Sequence, residues 1–286
     1  MDKLDGKTIL ITGATNGIGK AAALQLAKQG ATIVIAGRNP AKTARTVDEI
    51  KAQSGNPAVN GLIADLSSLA EVRRLAAEFC QKYTRLDVLI NNAGGIFANR
   101  ELTVDGYEHT FAFNHLAYFL LTNLLLDQLK ASAPARIVNV SSGVHEGAVI
   151  DFDDLQNQKN YGYGGNHAYG QSKLANVMFT YALVRRLAGS GVTVNAVRPG
   201  VVATGFGENN TGLLRLGAQI FHLFSITPEQ GADTAVYLAS SPEVEGMTGK
   251  YWYKRKAVPS SPVSYDEAAQ QRLWDVSAQL TGLATA

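Results

Sequence analysis

Short apolar runs rich in β-branched residues alternate along the chain with longer segments whose apolar residues recur at helical spacing. The short runs are mostly apolar at successive positions, which is typical of strands covered on both faces by helices. Strands are predicted over residues 8–11, 32–36, 59–63, 86–90, 137–140 and 192–197. Helices are predicted between them, for example over residues 18–29, 41–53, 69–82 and 107–130.

This alternation of strand and helix predicts right-handed βαβ units and hence an α/β fold. The expected architecture is a doubly wound, Rossmann-like parallel sheet with helices on both faces. No repeat of about 20–50 residues is visible, and no linker rich in proline, serine or glycine divides the chain. We therefore expect residues 1–286 to form a single domain.

Two long stretches interrupt the alternation. Residues 143–167 are rich in glycine, asparagine and aspartate, and residues 201–226 begin polar and end in an apolar pattern. Each follows the carboxyl end of a predicted strand, which is the edge where doubly wound sheets bind their ligands. The second stretch is interpreted either as a lid over a substrate or as a helix packed on the core.

Composition and charge narrow the class of function. A net charge of +2 is too small to indicate a nucleic-acid partner. One cysteine, and five histidines without metal-ligand spacing, predict no metal site. Of these histidines, His145 and His167 fall in the first irregular stretch and are expected to be exposed or, alternatively, to contact a substrate.

The chain shows neither a signal-peptide pattern at its start nor an apolar run of the ~18 residues that span a membrane. No membrane span and a cytoplasmic location are therefore expected. A small molecule is the expected partner, and a homo-oligomer is compatible with the sequence.

Candidate chemistry begins at the end of the first strand, where residues 12–19 read Thr-Gly-Ala-Thr-Asn-Gly-Ile-Gly before a helix. Glycines at such a turn let a pyrophosphate approach the main-chain N–H groups. The N-terminus of the following helix favours anions. A nucleotide-binding turn is predicted.

A second candidate is the pair formed by Tyr169 and Lys173, which lie one helical turn apart on the same face. A free tyrosine has a pKa near 10, and a neighbouring ammonium lowers that pKa because it favours the phenolate. Such a pair is suited to acid–base work on a carbonyl group.

The glycine spacing T-G-x-x-x-G-x-G, followed by Y-x-x-x-K before the sixth strand, resembles the short-chain dehydrogenase/reductase family. Three further motifs match in the same order: Asp65-Leu66 after the third strand, Asn91-Asn92-Ala93-Gly94 at the fourth, and Pro199-Gly200 after the sixth. The resemblance covers residues 12–204 and implies a nicotinamide cofactor.

By this resemblance the glycine turn binds pyrophosphate, Asp65 meets the adenine, and residues after the sixth strand meet the nicotinamide. The implied cofactor-binding positions are Gly13, Thr15, Asn16, Gly17, Ile18, Gly19, Asp65, Leu66, Asn92, Ala93, Gly94, Pro199, Gly200, Val202 and Thr204, together with Tyr169 and Lys173.

NADP(H) is the expected form of the cofactor. The second strand ends Ala36-Gly37-Arg38-Asn39, with an arginine and no acid. An acid there holds the ribose 2′-hydroxyl of NAD, whereas arginine suits the 2′-phosphate of NADP, to which it can donate two parallel hydrogen bonds. Many NADP-using relatives carry a second basic residue where this chain has Asn16, so Arg38 acts alone or with Lys42.

The resemblance also implies a catalytic group of Asn114, Ser142, Tyr169 and Lys173. Ser142 would hold a carbonyl oxygen beside Tyr169, while the neighbouring Ser141 would be structural. Asn114 would kink its helix and hold a water that links the lysine to solvent. The implied reaction is hydride transfer between NADP(H) and a carbonyl or alcohol.

Within the family, residues 114–122, residues 172–176 and the long spacing from serine to tyrosine resemble the retinol-dehydrogenase-like and protochlorophyllide-reductase-like branch. That branch implies an apolar aldehyde or ketone as substrate. Two alternatives stay open: a non-enzymatic NADP-binding sensor, a class that typically loses the tyrosine or lysine, and a reductase of carbon–carbon double bonds.

Overall fold

The structure, a computed structural model, describes residues 4–200 and 226–283. The strands of these residues are β1 Thr8–Thr12, β2 Thr32–Gly37, β3 Val59–Ile63, β4 Val88–Asn91, β5 Ala135–Val140, β6 Val192–Val197, β7 Tyr251–Tyr253 and β8 Lys256–Val258. They form one sheet in the order β3-β2-β1-β4-β5-β6-β7-β8. Neighbouring strands run parallel as far as β7, and β8 pairs antiparallel with β7.

Helices cover both faces of this sheet. Their bounds are α1 Gly17–Ala27, α2 Pro40–Ser54, α3 Leu69–Lys82, α4 His109–Phe111, α5 Ala117–Leu124, α6 Leu126–Ala131, α7 Asn166–Arg186, α8 Pro228–Ser240 and α9 Glu267–Thr281. Successive strand residues point to opposite faces, so Ile9 and Ile11 pack with α1, α2 and α8, whereas Leu10 packs with α3, α5 and α7. The predicted doubly wound fold is confirmed.

Two features differ from the sequence prediction. Strands β7 and β8 have three residues each, too short to show a periodic pattern, and the sequence did not reveal them. The helix expected over residues 107–130 is divided into α4, a π-helical turn at Ala112–Leu116, α5 and α6. The polar Asn114 lies inside the π turn, an irregularity at the position where the resemblance implies a kink.

The first irregular stretch is ordered by its own side chains. The Asp154 carboxylate accepts hydrogen bonds from the backbone N–H groups of Gln158 and Lys159 at 2.7 and 2.9 Å, which closes a polar turn. Short 3₁₀ helices at Gly143–Gly147 and Tyr163–Gly165 lie at either end. The second stretch lies outside the described residues except for Ile226, and no described helix is long and apolar enough to cross a membrane.

Candidate active site

The polar residues singled out by the sequence converge where the parallel strands end. The strands β1, β4 and β5 are neighbours in the sheet, so the segments that follow them emerge at one edge. These segments carry the glycine turn, Asn92 and Ser142. The site therefore spans the carboxyl edge of the sheet, as expected for a doubly wound fold.

The glycine turn lies so close to the end of β4 that side chains are excluded from it. A Cβ on Gly13, whose φ is +65°, would lie 2.6 Å from the Cα of Ala93, and one on Gly19 would collide with the Asn92 amide. The first helical hydrogen bond of α1 runs from Lys20 N–H to the Asn16 carbonyl. The N–H groups of Gly17, Ile18 and Gly19 precede it and form the donor end of the helix.

Two polar side chains clamp this turn to β4. The Thr12 hydroxyl accepts hydrogen bonds from the backbone N–H groups of Asn92 and Ala93 at 2.9 and 3.0 Å. In return, the Asn92 amide donates to the carbonyls of Thr12 and Gly13 at 2.9 and 3.1 Å. A compact cradle with outward N–H groups is thus held rigidly beside β4, and it fits the pyrophosphate of a dinucleotide.

At the end of β2, Arg38 extends into solvent with 73% of its side chain exposed, and its guanidinium lies 3.7 Å from the Asp65 carboxylate. Burial acts to raise the pKa of Asp65, but hydrogen bonds from Ser67 and the charge of Arg38 outweigh it and lower that pKa. Asn39 caps α2 by accepting from the Lys42 N–H at 2.9 Å. Asn16 is exposed at the start of α1.

Asn114 is fully buried and every polar atom of its side chain is paired. Its amide group donates to the Gly95 carbonyl and to the Ser172 hydroxyl, each at 2.9 Å, and its Oδ1 accepts from the Gly95 N–H at 2.9 Å. The Asn114 backbone carbonyl accepts from the Asn176 amide at 2.9 Å. The π turn is therefore joined to the segment after β4 and to α7.

Lys173 is buried on the inner side of α7. Its ammonium donates to the Val140 carbonyl at 3.2 Å and lies 5.5 Å from the ring centroid of Tyr169 and 5.8 Å from that of Tyr118. Burial lowers the pKa of Lys173 to about 7, because the charged form loses its hydration. The faces of the two aromatic rings stabilise the charged form of Lys173.

Tyr169 is hydrogen-bonded to Ser142, which brings two residues of the expected catalytic group into contact. Burial raises the pKa of Tyr169 to about 12, and the hydrogen bond to Ser142 opposes that rise only in part. This differs from the expectation that Lys173 lowers the tyrosine pKa. Burial dominates here, and it keeps the phenol protonated at neutral pH.

The two serines at the end of β5 have separate partners. Ser141 is buried and donates to the Lys173 carbonyl at 2.8 Å, which ties α7 to the strand, while Ser142 contacts Tyr169. His145, three residues farther on, is fully buried, so the expectation of an exposed histidine is wrong. Three hydrogen-bonding groups surround its ring. His167, in the first turn of α7, is half-buried.

The remaining expected residues fall into three groups. Leu66 is buried in the core and Ala93 is buried beside Thr12, whereas Gly94, Pro199 and Gly200 are accessible at the edge. Val202 and Thr204 lie outside the described residues. Thr12 and Asn176 make positioning contacts that were not predicted, although both residues stand inside the motifs that carry the resemblance.

Comparison with known proteins agrees with this geometry. Residues 7–212 match the family described as "short chain dehydrogenase". Human retinol dehydrogenase 13 is 46% identical over 98% of this chain and 86% of its own length. Human polyprenol dehydrogenase is 43% identical over 97% of this chain and 86% of its own.

Solved structures share the fold. An uncharacterised protein from Mycobacterium paratuberculosis superimposes with a TM-score of 0.81 at 32% identity, covering 100% of this chain and 97% of its own. A Pseudomonas aeruginosa RhlG/NADP complex gives a TM-score of 0.71 at 29% identity over 87% and 94% of the two chains. The protein described here is thus a nicotinamide-dependent oxidoreductase of alcohol or carbonyl groups, and it belongs to the retinol-dehydrogenase-like branch of the short-chain dehydrogenase family.

Proposed function

We propose that the protein transfers a hydride between NADP(H) and an apolar aldehyde, ketone or alcohol, with Tyr169 as the proton-exchanging group. The observation that carries this proposal is the contact between Tyr169 and Ser142, with Lys173 5.5 Å from the tyrosine ring. Asn114, the fourth member, is joined to the same helix through Ser172 and Asn176.

The roles follow from the contacts. A bound nicotinamide supplies or accepts the hydride. During reduction the Tyr169 hydroxyl gives its proton to the substrate oxygen, and the raised pKa of Tyr169 keeps that proton available. The Ser142 hydroxyl donates a hydrogen bond to the same oxygen. In its charged form, Lys173 counters the negative charge left on Tyr169 and binds the nicotinamide ribose.

Asn114 orients rather than exchanges protons with the substrate. It fixes the Gly95 backbone on one side and Ser172 on the other, so the segments next to Lys173 are held in place. After each reduction Lys173 would give its proton to the Tyr169 phenolate, and a water held at this asparagine would return a proton from solvent to Lys173. In the alcohol-oxidising direction the same groups act in reverse.

Preference for NADP(H) is supported by the surroundings of Arg38. The guanidinium is solvent-accessible at the end of β2, and its neighbour Gly37 has no room for an acidic side chain. A Cβ on Gly37 would lie 2.5 Å from Thr15 Cγ2 and 2.6 Å from Thr43 Oγ1. An acidic side chain that would hold the ribose hydroxyl of NAD would thus collide here with two threonines, while the arginine beside it can bind a phosphate.

An apolar substrate is supported by an exposed apolar side chain next to Ser142 and by others in the same stretch. Val144 donates its N–H to the Ser142 hydroxyl at 3.4 Å, and its side chain is 49% exposed. Val149 and Tyr163, from the same ordered stretch, are also exposed. The named substrates of the relatives, retinol and polyprenol, are apolar alcohols.

The test is turnover by the purified protein with NADPH or NADH against a panel of retinaldehyde, aliphatic aldehydes, ketones, quinones and enones, followed by cofactor absorbance. The proposal expects NADPH oxidation with apolar aldehydes or ketones and at least tenfold lower kcat/KM with NADH. NADPH binding without turnover on any compound would favour the sensor instead, and turnover confined to enones, with the double bond reduced, would favour the carbon–carbon reductase.

A further inference from the structure

His145 joins the catalytic edge of the sheet to the last strands of the chain. Its Nδ1 lies 2.8 Å from the Ser142 carbonyl oxygen, and its Nε2 lies 3.1 Å from the backbone nitrogen of Ser261. The ring also packs on Tyr251 of β7 at 4.7 Å between centroids, with the tyrosine oxygen 3.3 Å from Nδ1. Ser261 is 116 residues distant in sequence, so this one ring connects remote segments.

These two partners determine the tautomer of the imidazole. A carbonyl oxygen can only accept, so Nδ1 must carry the proton that it donates to Ser142. A backbone N–H can only donate, so Nε2 must be unprotonated to accept from Ser261. Both contacts exist only with a neutral ring, because a second proton on Nε2 would face the N–H of Ser261.

The charged groups around this ring act on such a proton in opposite directions, and the pKa of His145 is lowered overall. Among the described residues, Glu146 and Arg198 face it as an ion pair at 2.7 Å, and the Arg198 guanidinium is also stacked over Tyr253 at 4.1 Å. Tyr251 presents a neutral hydroxyl. Burial lowers the pKa of His145, and Arg198 adds to that effect while Ser142 and Glu146 oppose it.

We propose that His145 is a positioning residue that holds the Ser142 backbone in place by bridging it to Ser261, and that acid inactivates the site by protonating this bridge. The inference rests on the proposed role of Ser142 in turnover. Protonation removes the acceptor for the Ser261 N–H, so the segment after β8 separates from the turn that carries Ser142. The hydroxyl of Ser142 is then no longer aligned with Tyr169.

The experiment compares pH profiles of kcat for the wild type, His145→Asn, Tyr251→Phe and Ser142→Ala with a neutral aldehyde and saturating NADPH. The amide of His145→Asn can donate to the Ser142 carbonyl but cannot reach Ser261 or titrate. We expect wild-type kcat to fall reversibly below the ordinary histidine pKa of about 6.5. His145→Asn should lose about 10- to 100-fold in kcat at pH ~7.5, without the acid fall and without a change in cofactor affinity.

Tyr251→Phe is the matched control: it retains the ring contact and both bonds of His145, so it should keep the acid fall. Ser142→Ala separates the two proposals. If Ser142→Ala keeps wild-type kcat, the proposed role of Ser142 is wrong; if it is inactive while His145→Asn keeps both full kcat and the acid fall, only the bridge is wrong.

A measurement on the wild type removes dependence on a variant that folds poorly. Two-dimensional ¹H–¹⁵N NMR of histidine-labelled protein reports the tautomer of each ring and its titration. We expect His145 to appear as the Nδ1–H tautomer and to titrate below pH 6.5, together with the loss of activity. An Nε2–H tautomer, or a ring that stays neutral while kcat falls, overturns the inference.

Discussion

At the scale of single residues, the proposal makes turnover depend on the phenol of Tyr169. Tyr169→Phe removes the proton and the contact with Ser142 but keeps the ring beside Lys173. Because general acid–base groups contribute about 10²–10⁴-fold, we expect kcat to fall by that factor while NADPH affinity, measured by fluorescence quenching, stays within about twofold. A variant that keeps more than about a tenth of wild-type kcat would show that another group exchanges the proton.

The preference for NADPH that we propose for Arg38 is tested at the same scale. A charged hydrogen bond contributes ~1.5–3 kcal/mol, and each ~1.4 kcal/mol is tenfold in affinity. Arg38→Gln should therefore reduce the ratio of kcat/KM for NADPH over NADH by about 10- to 150-fold. An acid introduced at Gly37 is a poorer test, because its Cβ would meet Thr15 and Thr43.

Arg45→Gln is the matched control for that substitution. Arg45 is also an exposed arginine, on α2, and its charge acts on Glu49. The control should leave the ratio unchanged. If Arg38→Gln leaves it unchanged as well, the 2′-phosphate is bound elsewhere, and Lys42→Gln is the next variant to measure.

At the scale of elements, the π turn is held by a buried polar network. Asn176 of α7 donates to the Asn114 carbonyl at 2.9 Å, and its Oδ1 lies 3.3 Å from His115 Nδ1. The Nε2 of His115 in turn lies 2.9 Å from the Ser277 hydroxyl of α9. This chain of contacts joins the π turn, α7 and α9 inside an apolar cluster that includes Phe119, Phe179 and Trp274.

Removing the central amide should therefore destabilise the fold. Asn176→Ala leaves buried partners unpaired, at a cost of about 1–3 kcal/mol in the free energy of unfolding. Asn123→Ala is the comparison, since that half-buried amide donates to the Phe119 carbonyl one turn away on its own helix, at 2.7 Å. Denaturant unfolding of both variants tests this: equal stabilities would mean that the network does not stabilise the π turn.

At the scale of the whole molecule, buried bases make stability depend on pH. Burial lowers the pKa of Lys173 from 10.5 to about 7 and that of His115 from 6.5 to about 4. Each group has a lower pKa in the folded state than in the unfolded state. Between those two pKa values the unfolded chain binds more protons than the folded protein. Stability should therefore rise from pH ~7 towards 10.5 through Lys173 and fall from pH ~6.5 towards 4 through His115.

Two variants separate these contributions. Each group changes the slope of unfolding free energy against pH by up to about 1.4 kcal/mol per pH unit. Lys173→Met should flatten the alkaline rise and stabilise the cofactor-free protein at pH ~7 while abolishing turnover, a stability–activity trade-off. His115→Gln should flatten only the acid fall. The measurement is the slope of unfolding free energy against pH. If either variant has the same slope as the wild type, the group that was replaced in it is not buried.

The sequence alone contained the order and type of most elements, because strand and helix periodicities are local properties of the chain. It also placed Tyr169, Lys173 and Ser142 at one edge, since motifs that follow parallel strands must emerge together. Strands β7 and β8 were missed because three residues carry no period; β7 is held by pairing with β6, and β8 by pairing with β7. The divided helix around Asn114 was expected only as a kink.

Tertiary structure decided what depends on burial and on partners far along the chain. Nothing local to His145 indicates that its ring lies between Ser142 and a backbone N–H 116 residues away, and an exposed position was the natural expectation. The pKa values of Lys173 and Tyr169 likewise follow from the hydration lost in the folded interior, not from their spacing of four residues. Motif spacing therefore predicts which groups react, whereas packing sets their protonation and alignment, because desolvation exists only in the folded chain.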